Sequence, residues 1–196
     1  NNGTRLLQYI TNGDKTYEAT VVLGAATVTD DVEGEVISRA DVSAITDVQI
    51  EAEMAKMRGR IMQRPSSVSA VKVGGERAYD RVRAGESVEL AAREVTISQL
   101  DIKEIRRIEN AIEVDIEVTC SAGTFIRAIA RDCGNALEVG GHLNSLRRTR
   151  VAGFGLDKSI SLAALKAGEF STLGLVDVAR TTFSARELAI DEVNEL

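Results

Sequence analysis

Two arginines set four residues apart pose the first chemical question. In CSAGTFIRAIARD (Cys120 to Asp132), Arg127 and Arg131 follow directly on an alternating apolar segment. If the segment turns helical there, the two guanidinium groups lie one turn apart on one face, where like charges repel by about a few tenths of a kcal/mol. An anion beside them would remove that penalty. Arg127 would also fall in the helix's first turn, where the macrodipole disfavours a cation. For an isolated arginine the plain reading is a surface ion pair with an acidic neighbour. The chemical reading is that Arg127 pairs with a functional carboxylate or binds a phosphate at the strand-to-helix junction.

Other chemistry is thinly provided. Cys120, Cys133 and the single histidine, His142, lack the spacing of a zinc site. The two cysteines read as small buried hydrophobes, and no disulfide scaffold or zinc site is expected.

The elements that must position Arg127 can be read from periodicity. Ile112, Val114, Ile116, Val118 and Cys120 alternate along one strand face, and REVTISQLDIKEI before them alternates in the same way. After Gly123, with Thr124 as the expected N-cap, a helix would carry the core stripe Ile126, Ile129, Ala130, Cys133 and Leu137. DKTYEATVVLG (Asp14 to Gly24) reads as a strand, Asp30 to Gly34 as a turn, and Glu35 to Ser38 as a short strand. TDVQIEAEMAKMRG reads as a short amphipathic helix capped at Thr46 or Asp47 and stopped at Gly59, with Val48, Ile50, Met54 and Met57 as its apolar residues. A turn at Gly74-Gly75, a brief helix in AYDRVRAG and a helix in SLAALKAGEF complete the pattern. Strands follow one another without regularly interleaved helices, so the fold class is α+β with a mixed, largely antiparallel sheet and flanking helices.

Composition sets the bounds. At 196 residues, 44% apolar and 28% charged, the chain can bury one good-sized core or one domain plus a small appendage. It holds no apolar run long enough to cross a bilayer and no basic-then-apolar leader, so a cytoplasmic protein is expected. No apolar helix face is left obviously uncovered, which makes a monomer the default. The net charge of −6 hides two basic islands. Residues 54–83 hold eight Lys and Arg against two Asp and Glu, and residues 120–150 hold five against two. Islands of this kind suit a face that meets a polyanion, or they are solvated surface.

At this point several stretches resemble one family in register. DKTYEATVVLG, TVTDDVEGEV, QRPSSVSAVKVGGERAYDRVRAGESVEL, CSAGTFIRAIARDCG and GGHLNSLRRTRVAGF are similar to consecutive motifs of the bacterial tRNA pseudouridine synthases that act on the T-loop uridine. The resemblance spans roughly Thr4 to Phe154 and implies the pseudouridine synthase fold, tRNA and its T-arm as partner, and a reaction without cofactor or metal. By match to the family's motifs, Tyr17 would stack on a flipped-out uracil and help remove the C5 proton, and Arg127 would orient the catalytic carboxylate. Phe125 and Leu146 would wall the pocket. Where the family carries Tyr at the position of Phe125, any hydroxyl-dependent hydrogen bond would be missing here. Lys72, Arg147 and Arg148 would contact phosphates, while His142 is given no acid or base role. Residues 1–155 would form the catalytic domain and 156–196 the start of a truncated C-terminal tRNA-binding module.

One departure is large. The family's nucleophile sits in a Gly-x-Leu-Asp-Pro-x-Ala-x-Gly motif, whereas the one proline here, Pro65, follows Arg64. Leu156-Asp157-Lys158 is no substitute. The chain begins Asn1-Asn2-Gly3 without Met, so the motif is expected upstream and the chain as it stands is expected to be inert alone. Were it active, Asp30 or Asp31 would be the first carboxylates to test. The alternative class is a non-catalytic tRNA-binding or tRNA-folding protein.

Overall fold

In the computed structural model the described residues are 3–66, 68, 72–73, 76–77 and 90–186. They divide into a larger unit, Asp14 to Thr149, and a smaller one built from the two chain ends, Asn1 to Gly13 and Arg150 to Leu196.

The larger unit is built on a sheet. Strand β1 (Lys15–Leu23) lies between β8 (Ala111–Cys120) and β9 (Gly141–Val151), and β7 (Arg93–Ile108) and β4 (Gly59–Gln63) extend the sheet beyond β8. The β1/β8, β7/β8 and β4/β7 pairs are all antiparallel, in keeping with the largely antiparallel sheet expected from the sequence. Alternation sorts the faces. Ala19, Val21 and Leu23 of β1 and the even-numbered residues of β8 from Ile112 to Cys120 are buried, while Glu18, Thr20, Glu113, Asp115 and Glu117 stand on the opposite face. Glu18 and Glu117 are direct cross-strand neighbours, and Lys103 Nζ lies 3.3 Å from Glu117 to offset the like charge.

Two helices cover the apolar face. Helix α2 (Asp47–Lys56) starts in a complete capping box: Gln49 N–H donates to Thr46 Oγ1, and Thr46 N–H donates to Gln49 Oε1 at 2.9 Å. It buries Ile50 and Met54 fully, whereas Val48, expected among its apolar residues, is 78% exposed. Helix α3 (Ile126–Ala136) buries Ile126, Ile129, Ala130 and Cys133, with Leu137 packed at the edge of the same cluster. Its expected cap moves by one residue. Phe125 occupies the N-cap position with no side-chain cap bond, and Thr124 Oγ1 instead donates to Ser121 O at 3.0 Å. The hydroxyl is used to close the turn leaving β8 and is not available to cap the helix. Helix α3 also comes against the start of β9 backbone to backbone: a Cβ on Gly134 would sit 2.2 Å from Gly140 C and Gly141 N, so only glycine fits there.

Strands β2 (Ala25–Thr27) and β3 (Val36–Arg39) pair outside the main sheet and flank the Asp30 to Gly34 turn. Short strands β5 (Lys72–Val73) and β6 (Glu76–Arg77) pair with each other; the expected Gly74-Gly75 turn and the helix in AYDRVRAG lie outside the described residues. In the smaller unit, α1 (Leu7–Asn12) places Tyr9 edge-on to Phe183, with ring centroids 4.9 Å apart. There β10 (Phe154–Gly155) pairs with Arg150 and Val151. Helix α4 (Leu162–Ala167) falls within SLAALKAGEF as expected, capped by Ser161 and closed by Gly168 at φ +75°, and α5 (Leu175–Thr182) follows it. Among the described residues no helix is long and apolar enough to cross a membrane.

Candidate functional site

The site grows from the junction of β8 and α3. Ser121 to Phe125 turn the chain, with Gly123 at φ +87° supplying a conformation that L side chains rarely adopt. Arg127 then projects from the first turn of α3 toward the Thr29 to Asp31 turn. Its Nη2 lies 2.8 Å from Asp31 Oδ2, and its Nη1 donates to Thr29 O at 3.5 Å. Asp31 is held on its other oxygen as well, accepting from Thr29 Oγ1 and from Glu33 N–H at 3.1 Å. With both oxygens occupied and only 8% of the residue exposed, this carboxylate serves to hold a cation and is poorly placed to attack an electrophile.

Arg131 meets the neighbouring carboxylate. Its Nη1 lies 3.3 Å from Asp30 Oδ2, its Nη2 donates to Arg64 O at 2.7 Å, and its Nε donates to Asp132 Oδ1 at 2.8 Å. Burial raises the Asp132 carboxyl above its usual range, and the Arg131 charge opposes that shift. Asp30 Oδ2 also accepts from Ser66 Oγ, which is 1% exposed. The repulsion between Arg127 and Arg131 is thus offset by two consecutive aspartates, one for each turn of the helix.

Phe125 is fixed through its backbone. Its N–H donates to Gln63 Oε1 at 2.8 Å, and its carbonyl accepts from Gln63 Nε2 at 3.1 Å. The Arg93 guanidinium lies 4.8 Å from the Phe125 ring centroid, close enough for cation–π attraction. Tyr17 stands on the helix-bearing face of β1 and packs against the cluster that contains Ile126 and Ile129. Leu146, Arg147 and Arg148 lie exposed on β9, the neighbour of β1. Leu146 and Arg147 border a groove of about 430 Å³ together with Glu18, Thr20, Asp115 and Ser145. Lys72 falls on β5, and its side chain is outside the described residues. His142 Nδ1 lies 2.9 Å from Ala25 O, a bond that ties β9 to β2. Among the described residues, no cluster of three or more His, Cys, Asp or Glu could hold a metal.

The sequence pointed to Asp30 and Asp31 as a turn and as fallback carboxylates, and to the arginines as a pair in need of an anion. Gln63, Ser66 and Arg93 carried no signal, because each acquires its partner only across the fold.

The α+β fold is shared with solved structures. One, a Cbf5-Nop10-Gar1 complex, aligns over 91% of this chain and 44% of its own with a TM-score of 0.55 at 24% identity. Another, an H/ACA RNP bound to a substrate RNA containing 2'-deoxyuridine, aligns over 91% and 42% with a TM-score of 0.54 at 22% identity. At those identities the likeness defines a fold class. The sequence itself goes further. Residues 1–126 match the TruB family pseudouridylate synthase N-terminal domain and residues 127–172 the tRNA pseudouridylate synthase B C-terminal domain; the chain belongs to the TruB pseudouridylate synthase family. Its relatives include proteins named tRNA pseudouridine synthase B from Arthrobacter sp. (strain FB24), 51% identical over 100% of this chain and 64% of the relative, and from Mycobacteroides abscessus, 50% identical over 97% and 64%. A third, from Corynebacterium diphtheriae, is 46% identical over 99% and 66%. The chain spans slightly under two thirds of the length of these relatives.

Proposed function

We propose that this chain belongs to a cytoplasmic, monomeric tRNA pseudouridine synthase that isomerises the T-loop uridine, with residues 1–155 in its catalytic domain. The reaction breaks the N1–C1′ bond, turns the uracil and forms a C5–C1′ bond. N1 gains a proton and C5 loses one, so the product is an isomer. The target base must leave its stack, at a cost of about a few kcal/mol that pocket and backbone contacts offset.

In this reading Tyr17 stacks on the flipped base and assists removal of the C5 proton, and Arg127 orients the nucleophilic aspartate. Phe125 and Leu146 bound the base, while Lys72, Arg147 and Arg148 meet phosphates of the T-arm. Residues 156–196 begin a C-terminal tRNA-binding module. The observation that carries the reading is the guanidinium of Arg127, held at the mouth of a strand-to-helix junction by Asp31, with Tyr17 packed on the same cluster as the helix that bears it. Asp31 is already engaged on both oxygens by that arginine, a hydroxyl and an amide. The reading therefore assigns the nucleophile to a Leu-Asp-Pro motif, which these 196 residues do not contain.

The test incubates unmodified tRNA with this chain and, in parallel, with the full gene product, and reads T-loop pseudouridine by mass labelling. The expected result is conversion by the full product and none by the chain alone. Conversion by the chain alone would move the nucleophile to Asp30 or Asp31. Tight tRNA binding by the full product without conversion would favour a binding or folding role instead.

A further inference from the structure

Arg131 lies outside the roles assigned above, yet its guanidinium is shared among four acceptor groups. It reaches Asp30 Oδ2, Arg64 O, Pro65 O at 3.5 Å and Asp132 Oδ1. With Ser66 Oγ also on Asp30 Oδ2, three segments distant in sequence converge on one buried carboxylate. They are the turn between β2 and β3, the exit of β4, and the second turn of α3.

Asp30 adopts φ +58°, a left-handed conformation that L residues other than Asn and Asp seldom take. That conformation points the carboxylates of Asp30 and Asp31 at successive turns of α3, one to Arg131 and the other to Arg127. The turn is further tied by Leu143 N–H donating to Asp30 O at 3.0 Å and Thr27 Oγ1 donating to Asp31 O at 2.7 Å. The Leu143 bond holds its place against β9 and the Thr27 bond ties it to β2, whereas among the described residues the Asp30 side chain is engaged by Arg131 and Ser66. Removing Arg131 would leave a buried charge uncompensated. The simplest relief is for the Asp30 backbone to leave the left-handed region, which swings the adjacent Asp31 away from Arg127.

We propose that Arg131, through Asp30 and Ser66, is a positioning residue that fixes the orientation of Arg127. The inference rests on the synthase reading for its consequence in turnover, but not for its geometry. It predicts an effect on the chemical step more than on RNA affinity, because the groups it fixes lie at the reacting centre and not among the exposed arginines of β9.

The experiment uses the full gene product with Arg131→Gln and, as a milder change that preserves both charges, Ser66→Ala. Single-turnover conversion of tRNA is followed per folded molecule, alongside KM. In parallel, spectra of 15N-labelled arginine side chains report whether the Arg127 guanidinium remains held. For Arg131→Gln the expected result is a fall in kcat of about tenfold with KM within about twofold, together with loss of the restrained Arg127 signal. Ser66→Ala should shift both readouts in the same direction by less. A variant that melts at lower temperature but keeps its kcat per folded molecule and its Arg127 signal reduces Arg131 to a structural residue and overturns the proposal. If the unaltered protein makes no pseudouridine, the synthase reading fails by itself. The Arg127 signal then decides this inference, unchanged spectra refuting it and altered spectra upholding it.

Discussion

The bond pair between Gln63 and Phe125 offers a perturbation whose size can be worked out. Gln63 is 2% exposed, and its amide both accepts the Phe125 N–H and donates to the Phe125 carbonyl. Gln63→Met keeps the length of the side chain and removes both bonds. Each is worth about 1 kcal/mol net, and the stranded N–H adds about 1–3 kcal/mol, since among the described residues no other acceptor reaches it. The carbonyl is less affected, since Ala128 N–H also donates to it at 3.2 Å. Counting the N–H bond and its stranded donor alone, the sum is about 2–4 kcal/mol, or a fall in melting temperature of about 5–15 °C for a protein of this size.

Gln63→Glu supplies a pH signature that distinguishes hydrogen bonding from packing. Ionised, the new carboxyl still accepts from the Phe125 N–H but faces the carbonyl with no proton to donate. Protonated, it can restore both bonds. Burial and the carbonyl together would raise its folded pKa above the unfolded value of about 4.3. The variant should therefore be close to the native protein below that value, and should lose stability relative to it as pH rises through the elevated folded pKa. Urea titrations of all three proteins between pH 4 and 8 measure this. A Gln63→Met protein within about 0.5 kcal/mol of the native one, or a Gln63→Glu deficit that does not vary with pH, would show that these two bonds do not brace Phe125.

Two further outcomes can be checked in the same apparatus. Asp115 has its pKa lowered chiefly by its hydrogen bond with Arg106. Its stabilisation should be fully present above the unfolded value of about 3.9 and lost as pH falls through the depressed folded value, so the cost of Asp115→Asn should be full at pH 7 and shrink progressively as pH is lowered below about 3.9. Thr46→Ala removes the side-chain half of the capping box on α2 and should cost about 1 kcal/mol by thermal or urea unfolding.

How much of this was legible beforehand depends on the range of the interaction. The alternation of Ile112 to Cys120 and the stripe Ile126, Ile129, Ala130, Cys133 placed a strand and a helix correctly, because burying one face imposes its period on neighbouring residues. The motif order carried the family in the same way, residue by residue along the chain. Strand β9 leaves no strand signal in the sequence, since its residues from Asn144 to Arg148 are exposed and show no alternation. Thr124 was misplaced as a cap because a hydroxyl near a helix start can close the preceding turn equally well.

Left to itself, the sequence determined which residues could form elements, where charge accumulates, and that two arginines one turn apart require anions. That Asp31 serves Arg127, that Asp30 serves Arg131 and that Gln63 braces Phe125 emerges with the folded chain. Local periodicity follows from backbone geometry and is written in adjacent residues. Partner choice follows from which surfaces chain folding presses together, and segments about a hundred residues apart share no local pattern that could announce it.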